Sequence, residues 1–97
     1  GIFDLVQAGS QYCKHIYLVQ AGCEIRTDNY TGLLHEKNMT IDAGTSSSPI
    51  AIIGSFNYTD TANTSNDENI VFIHSGTVAT ALKNNISNVF NKSTVVK

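Results

Sequence analysis

The centre of the chain reads LLHEKNMTI over residues 33–41 and IAIIGS over residues 50–55. Both runs are short; the second is almost entirely apolar and the first mixes apolar and polar residues, and both patterns are compatible with the strands of a small sheet. The intervening DAGTSSSP, residues 42–49, consists of residue types that favour turns. We therefore predict two antiparallel strands joined as a hairpin, with Asp42 in a structural turn role.

Polar side chains lie at the ends of these two runs. Successive side chains of a strand point to opposite faces, so His35 and Lys37 are predicted to project from the same face. Ser55 and Asn57 share a face in the same way if the extended backbone continues past the second run. The alternation therefore predicts that an imidazole, an ammonium, a hydroxyl and an amide converge.

The residues before the centre predict two further strands with a helix between them. Residues 2–6 and 23–26 have the short apolar or alternating patterns of strands. Between them, Ser10 is a suitable N-cap, and Gly22 suits the left-handed position after the last helical turn. The helical spacing also predicts a buried apolar face, formed by Tyr12, Ile16 and Val19.

The residues after the centre predict a loop, a strand and a helix. Residues 58–67 are polar and lack periodicity, as loops do. Residues 68–73 are apolar on both faces, which predicts an internal strand. The last helix is marked by one apolar face, and the tail over residues 94–97 is expected to fray. The apolar face consists of Val78, Leu82, Ile86, Val89 and Phe90.

Length and composition limit the possible functions. A chain of 97 residues can form one small domain, which we place over residues 1–97. Its net charge of -2 provides no broad basic field, so a nucleic acid would have to be bound by a local cleft. The longest apolar runs are too short for a membrane helix, and we expect neither a transmembrane segment nor a signal peptide. The compartment stays open.

The cysteines and the remaining histidines suggest no second site. Cys13 and Cys23 have neither metal-ligand nor redox spacing, so two buried thiols are favoured over a disulfide. His15 lies in the predicted first helix, and His74 follows the predicted last strand. Both histidines are expected at the surface.

The order of the polar residues resembles the HKD signature of the phospholipase D superfamily. The signature here consists of His35-x-Lys37, Asp42, Gly54-Ser55-x-Asn57 and Glu68-Asn69. The flanking segments over residues 18–28 and 54–59 are similar to those of the single-motif endonucleases and of the mitochondrial cardiolipin hydrolase group. The resemblance extends over residues 2–90, which is nearly the whole chain.

The resemblance implies an α/β fold, a phospholipase D-like domain in which a central mixed β-sheet is flanked by helices. Modules of this superfamily usually begin with further strands and a helix, so we expect an N-terminally truncated module, the C-terminal portion of one HKD module. Eleven residues separate Asp42 from Gly54, which is more than is usual in the family. The excess falls in the predicted turn, where an insertion costs little.

The same resemblance implies phosphodiester hydrolysis with no metal and no other cofactor. The neutral imidazole of His35 would attack phosphorus and form a phosphohistidine. Glu68 would hold the other ring nitrogen, while Lys37 and Asn57, assisted by Ser55, would bind the non-bridging oxygens. Family members protonate the leaving group with a second motif histidine. His35 of a second copy is the expected donor, which implies a homodimer with the active site on the twofold axis.

Three possibilities follow for the function of the chain, two of which differ in the substrate. Nucleic acid, DNA or RNA, is the leading substrate because of the resemblance to the single-motif endonucleases, and a phospholipid headgroup ester is the alternative. The third possibility is a catalytically silent binding module or half of a two-motif enzyme. Arg26 and Lys14 are the candidate cations for contacting a substrate backbone.

Overall fold

The computed structural model describes residues Gly1–Lys97, which form two compact units. The first unit comprises Gly1–His35 and Ile86–Lys97, and the second comprises Glu36–Asn85. One domain over residues 1–97 stays a prediction. In chain order the elements are β1 (Ile2–Phe3), α1 (Leu5–Ala8), α2 (His15–Gln20), β2 (Arg26–Thr27), β3 (Met39–Ile41), β4 (Ile50–Gly54), α3 (Asp60–Thr64), β5 (Ile70–Ile73), α4 (Gly76–Asn91) and β6 (Thr94–Val95).

The first unit contains a small mixed sheet with β2 at its centre. β1 runs parallel to β2, with Ile2 opposite Arg26 and Phe3 opposite Thr27. β6 pairs antiparallel with the other side of β2. Ile25, just before β2, is 3% exposed and is the most deeply buried apolar side chain of this unit.

The strands predicted for this unit are shorter than expected, and the one predicted over residues 23–26 begins only at Arg26 and ends at Thr27. The strand over residues 2–6 is wrong beyond Phe3, because the Asp4 side chain accepts a hydrogen bond from Gln7 N at 2.9 Å and caps α1 instead. The tail expected to fray forms β6. The cap of α1 is a local signal, whereas β6 depends on pairing with β2, a partner distant in sequence that local patterns do not reveal.

The helix predicted from Ser10 begins only at His15. The Ser10 hydroxyl accepts instead from Tyr12 N at 3.3 Å, which makes a local turn that competes with a helix. Tyr12 is 77% and Ile16 42% exposed, so the predicted buried face is wrong at both, while Val19 is half-buried. His15, expected at the surface, is buried with its ring 5.7 Å from that of Phe3. Gly22 does adopt the predicted left-handed conformation, with a φ of 90°.

The predicted hairpin is present in the second unit. β3 and β4 pair antiparallel, with Met39 opposite Ile52 and Ile41 opposite Ile50. Asp42 begins the connection with a φ of 53°, a left-handed conformation that Asp tolerates in turns. The turn role predicted for Asp42 is therefore confirmed.

The core of the second unit is built from small side chains. Ala51 of β4 and Ala79 of α4 are fully buried, and Ala43 of the hairpin connection joins them. Because alanine side chains are short, the helix lies close against the sheet. Lys83 of α4 also donates a hydrogen bond to the Ala43 carbonyl oxygen at 3.4 Å. Ile73, Val78 and Leu82 pack around the cluster, in agreement with the predicted apolar face of the last helix.

Two predicted strands have the wrong limits or position. The strand expected over residues 33–41 begins only at Met39, so residues 33–38 form neither helix nor strand. The strand expected over residues 68–73 begins at Ile70 and lies at an edge, because β5 pairs only with β4. The prediction that this apolar strand is internal is therefore wrong.

The α/β class predicted from the sequence is confirmed. A single central sheet was expected, whereas the strands form two sheets of three strands each, one mixed and one antiparallel. The loop predicted over residues 58–67 contains the short helix α3. Cys13 and Cys23 are free thiols, as predicted, but Cys13 is half-buried and Cys23 is exposed.

Candidate functional site

The residues of the predicted signature lie beside the ends of strands. Ser55 directly follows β4, and Glu68 lies two residues before β5. Both belong to the second unit, as do Lys37 and Asn57, whereas His35 is the last residue of the first unit before the boundary. The approach of His35 to Ser55 and Glu68 stays a prediction.

Ser55 and Glu68 are joined by a hydrogen bond, in which Ser55 Oγ donates to Glu68 Oε2. The same hydroxyl oxygen accepts from Asn69 N at 3.1 Å, and Ser55 N donates to the Asn69 carbonyl oxygen at 3.0 Å. Asn66 Nδ2 donates to Glu68 Oε1 at 3.4 Å. We call these four residues the Ser55–Glu68 cluster. It connects the segment that follows β4 to the segment that enters β5.

The hydrogen bonds of the cluster limit what each group can do. A serine hydroxyl can donate only one hydrogen bond, and Ser55 donates it to Glu68. In this arrangement Ser55 orients the carboxylate, while its predicted contact with a substrate oxygen stays a prediction. An ionised carboxylate has about four lone-pair positions, so Glu68 keeps acceptor capacity for an imidazole N–H.

Gly54 is required by the close approach of β4 and β5. It lies opposite Ile70 in the sheet. A Cβ at this position would overlap the Asn69 carbonyl oxygen and would lie 2.8 Å from Ile70 Cα. Both are backbone atoms, which cannot swing aside as the end of a side chain can. A larger residue would therefore separate the strands where the Ser55–Glu68 cluster forms.

Asn57 lies in a tight turn that leads into α3. Thr59 N donates to the Asn57 carbonyl oxygen at 2.8 Å, and the Thr59 side chain caps α3 by accepting from Ala62 N at 3.2 Å. The Asn57 side chain is exposed. Since a side-chain amide offers two N–H donors, Asn57 is suited to bind an anionic oxygen.

Two aromatic residues alternate with the polar residues of this segment. The rings of Phe56 and Tyr58 lie 6.1 Å apart with an interplanar angle of 74°, an edge-to-face arrangement. Tyr58 is 57% exposed. The pair therefore presents an apolar ring surface next to Asn57 in the chain.

His35 and Lys37 lie on irregular backbone. Since residues 33–38 do not form a strand, the argument that the two side chains share a strand face is wrong. The two residues are separated by two positions in the chain. The His35 side chain is exposed and the Lys37 side chain is half-buried.

The backbone in front of His35 is held by a carboxylate of the same unit. Asp4 Oδ2 accepts a hydrogen bond from Leu34 N at 2.7 Å, and Asp4 Oδ1 accepts from Gln7 N. The bond from Gln7 and then that from Leu34 lower the pKa of Asp4 below its ordinary value of 3.8, while burial acts in the opposite direction. Asp4 is therefore a carboxylate at neutral pH.

The sequence analysis missed Asp4 and Asp28, the two buried carboxylates of the first unit. They are 8% and 1% exposed, and Asp28 Oδ1 accepts from Leu5 N at 2.7 Å. An Asp between an apolar run and a helix-forming segment is a recognisable N-cap signal for Asp4. The partner of Asp28 is 23 residues away, so no local pattern reveals it.

The two cations proposed to contact a substrate are engaged within the first unit. The Arg26 guanidinium lies 4.1 Å from the Phe90 ring centroid and donates to the Phe90 carbonyl oxygen at 2.9 Å. Lys14 Nζ lies 5.4 Å from the Tyr17 ring centroid. Arg26 is thus a structural residue first, which weakens its proposed role in substrate contact.

Two further properties of the structure bear on cofactors and membranes. No group of three or more His, Cys, Asp or Glu side chains is arranged to hold a metal ion. The longest helix, α4, has 16 residues, and none of the helices combines the length and apolar character needed to cross a bilayer.

Comparison with known families supports the signature. A family model described as cardiolipin synthase, PLD-like domain, matches residues 5–90. The chain belongs to the phospholipase D superfamily. The resemblance seen in the sequence is thereby confirmed at the level of the family, while the roles of individual site residues stay predictions.

The phospholipase D-like fold is also found in a solved structure. The chain is similar to Nuc from Salmonella typhimurium, a phospholipase D family member, with a TM-score of 0.86 and 23% sequence identity. The match covers 99% of this chain and 62% of Nuc, so the chain spans less than two thirds of that protein. No curated protein matches the chain significantly. The predicted phospholipase D-like fold is confirmed.

Proposed function

We propose that this phospholipase D-like chain is the catalytic part of a metal-independent phosphodiesterase, a nuclease that hydrolyses nucleic acid. Its family supports phosphodiester chemistry. The observation that carries the proposal is the Ser55–Glu68 hydrogen bond, because it orients a carboxylate at Ser55, two residues before the exposed Asn57 in the chain. An oriented carboxylate and an oxyanion-binding group are what a nucleophilic histidine requires.

His35 is the proposed nucleophile. One of its ring nitrogens attacks the phosphorus, the bond from phosphorus to the leaving oxygen breaks, and a phosphohistidine forms. Glu68 accepts the N–H of the other ring nitrogen, which selects the tautomer and stabilises the charge on the ring. Water then attacks the phosphorus, and His35 is released together with a phosphate monoester.

We assign to two groups the stabilisation of the negative charge that develops on the non-bridging oxygens of the phosphorus. Lys37 and Asn57 bind the non-bridging oxygens, with an ammonium and an amide as donors. Ser55 assists mainly by orienting Glu68, in accordance with its hydrogen bond. Donors that stand in place before the reaction lower the barrier most, because they need no reorganisation.

The leaving oxygen needs a proton, which the signature of one copy does not supply. We assign this proton to His35 of a second copy, so that the active site lies on the twofold axis of a homodimer. The same imidazole then accepts the proton of the attacking water in the second step. A monomer is expected to be nearly inactive.

Nucleic acid is the preferred substrate class because of the exposed Tyr58 beside Asn57. A ring that is 57% exposed can stack on an unpaired base, and such stacking is largely independent of sequence. A phospholipid headgroup ester is the second candidate, favoured by the description of the matching family model as cardiolipin synthase. Both substrates contain the phosphodiester that the proposed mechanism cleaves.

The test is cleavage of single-stranded and double-stranded DNA by the 97-residue chain in the presence of EDTA. We expect cleavage, and we expect His35→Ala to abolish it. The matched control is His74→Ala, which removes an exposed histidine outside the signature and should leave cleavage unchanged. Acid-quenched reactions with a labelled substrate should contain phosphohistidine in the wild type only.

The outcomes separate the candidate functions. Loss of cleavage on chelation, or full activity in His35→Ala, contradicts the proposed mechanism. Turnover of phospholipid vesicles without DNA cleavage selects the phospholipid alternative. Binding of DNA without turnover of either substrate selects the catalytically silent module or half of a two-motif enzyme.

A further inference from the structure

The Asp4 carboxylate connects two segments that are 30 residues apart. It is 8% exposed and directly follows β1. Its Oδ1 accepts from Gln7 N at 2.9 Å and its Oδ2 accepts from Leu34 N at 2.7 Å. The two oxygens therefore have separate tasks: the first caps α1, and the second holds the residue that precedes His35.

The bond to Leu34 acts on backbone that has no regular structure. Residues 33–38 form neither helix nor strand, so no repeating hydrogen-bond pattern of a helix or sheet determines where this segment runs. A bond from a backbone N–H to an ionised carboxylate is short and stronger than a neutral one. Asp4 also lies at the end of a paired strand, which gives the carboxylate a fixed base.

We propose that Asp4 is a positioning residue for His35. Through the Leu34 amide, it sets the backbone from which the imidazole reaches the phosphorus. This inference rests on the proposed function for its catalytic consequence. Its action is through the Leu34 backbone, so we expect it to affect the geometry of attack and not substrate binding.

The direction of the pKa of Asp4 agrees with this role. Hydrogen bonds from Gln7 and Leu34 lower the pKa, so both are made to the charged carboxylate. A carboxylate that serves only as a helix cap would need the first bond alone. The second bond is the one that a role in positioning His35 requires.

Two substitutions separate the capping role from the positioning role. Asn and Ser are both good N-cap residues, so Asp4→Asn and Asp4→Ser keep an acceptor for Gln7 N. Asn lacks a second acceptor oxygen for Leu34 N, and Ser also has only one side-chain oxygen. Asp60→Ser is the matched control, because it removes an exposed carboxylate from the first turn of α3.

The first measurement is hydrogen exchange of the Leu34 amide by NMR, made on the wild type and each variant after circular dichroism has shown that the variant is folded. We expect exchange at Leu34 to accelerate about 10-fold or more in both Asp4 variants, because the amide loses a hydrogen bond to a charged group. We expect the amides of Ala51 and Ile52 in β4 to be unaffected. Asp60→Ser should leave Leu34 unchanged.

The second measurement is the kinetics of phosphodiester cleavage. We expect kcat to fall about 10-fold in both Asp4 variants, because small displacements of a nucleophile are costly, while KM changes little. KM is spared because Lys37 and Asn57, which are assigned to binding, belong to the other unit. A purely structural role would lower only the amount of folded enzyme. Both kcat and KM, calculated per folded molecule, would then equal those of the wild type.

The results distinguish failure of this inference from failure of the proposed function. An unchanged exchange rate at Leu34, or faster exchange with an unchanged kcat, overturns the positioning role. If the wild type cleaves no phosphodiester, the proposed function fails, and the position of His35 is then read from its rate of modification by diethyl pyrocarbonate relative to His74. A rate at His35 that is equal in the wild type and both Asp4 variants overturns the inference in that case as well.

Discussion

Ser55 Oγ donates a hydrogen bond to the Glu68 carboxylate, and this bond connects the end of β4 to the segment that enters β5. The two residues are 13 positions apart, and α3 lies between them. Asn69 adds two backbone contacts to the same serine. The end of the hairpin therefore carries a serine that orients the Glu68 carboxylate.

Removal of this hydroxyl should impair catalysis more than stability. We expect Ser55→Ala to lower kcat about 10-fold to 100-fold, because a hydrogen bond to a charged group contributes roughly 1.5–3 kcal/mol. Ser55 is exposed, so urea unfolding should change little. Ser47→Ala, an exposed serine of the hairpin connection, is the matched control. Equal kinetics in both variants would show that the bond does not serve catalysis.

Gly54 is expected to be intolerant of any side chain. A Cβ would meet the backbone of Asn69 and Ile70, so Gly54→Ala should destabilise the protein by roughly 1–3 kcal/mol, the usual cost of overpacking. Urea unfolding monitored by circular dichroism measures the change. Gly32→Ala is the control, because its added Cβ has no heavy atom within 4 Å apart from those of Gly32 and its two chain neighbours. If the two variants have the same midpoint, β4 and β5 do not approach as described.

Much of the second unit could be predicted because its signals are local. The alternation and turn residues around 42–49 gave the hairpin, and the spacing of Val78 and Leu82 gave the buried face of α4. The position of β5 could not be predicted in this way. In a sheet of only three strands, an apolar strand can lie at the edge. Only the order of the strands in the sheet shows whether a strand is internal, and sequence patterns do not reveal that order.

The candidate site was predicted in composition better than in geometry. The order of residue types named the right family, and two of the residues that it selected, Ser55 and Glu68, are joined by a hydrogen bond, while the catalytic roles stay predictions. The strand-face argument for His35 failed because the turn and loop residues around it do not continue β3. Asp4 was missed because its second oxygen contacts an amide 30 residues away.

The stability of the protein should depend on pH through Asp4. Its folded-state pKa lies below the ordinary value of 3.8, so the carboxylate stabilises the fold fully above pH 3.8. This contribution is lost as the pH falls below 3.8 and through the lowered pKa. Urea unfolding over this range should show a weaker pH dependence for Asp4→Asn than for the wild type. Identical pH profiles would mean that Asp4 does not carry the shift.

Tyr58 should distinguish nucleic acid from phospholipid as the substrate. If bases stack on its exposed ring, Tyr58→Ala should weaken binding of a fluorescent single-stranded oligonucleotide by about 1–3 kcal/mol, measured by anisotropy. Tyr12→Ala is the control, because Tyr12 is 77% exposed and lies in the first unit. Equal affinities in the two variants would remove the observation that favours nucleic acid.

The proposed dimer predicts how activity responds to mixing of wild-type and inactive chains. If each active site needs His35 from both copies, a mixed dimer of wild type and His35→Ala has no complete site. At equal amounts of the two chains, random exchange leaves about one quarter of the dimers fully wild-type, so activity should fall to about one quarter of that of the same total amount of wild type. Mixing with His74→Ala should cause no loss. Activity near one half would show that each copy works alone. The group that protonates the leaving oxygen would then have to come from the same chain.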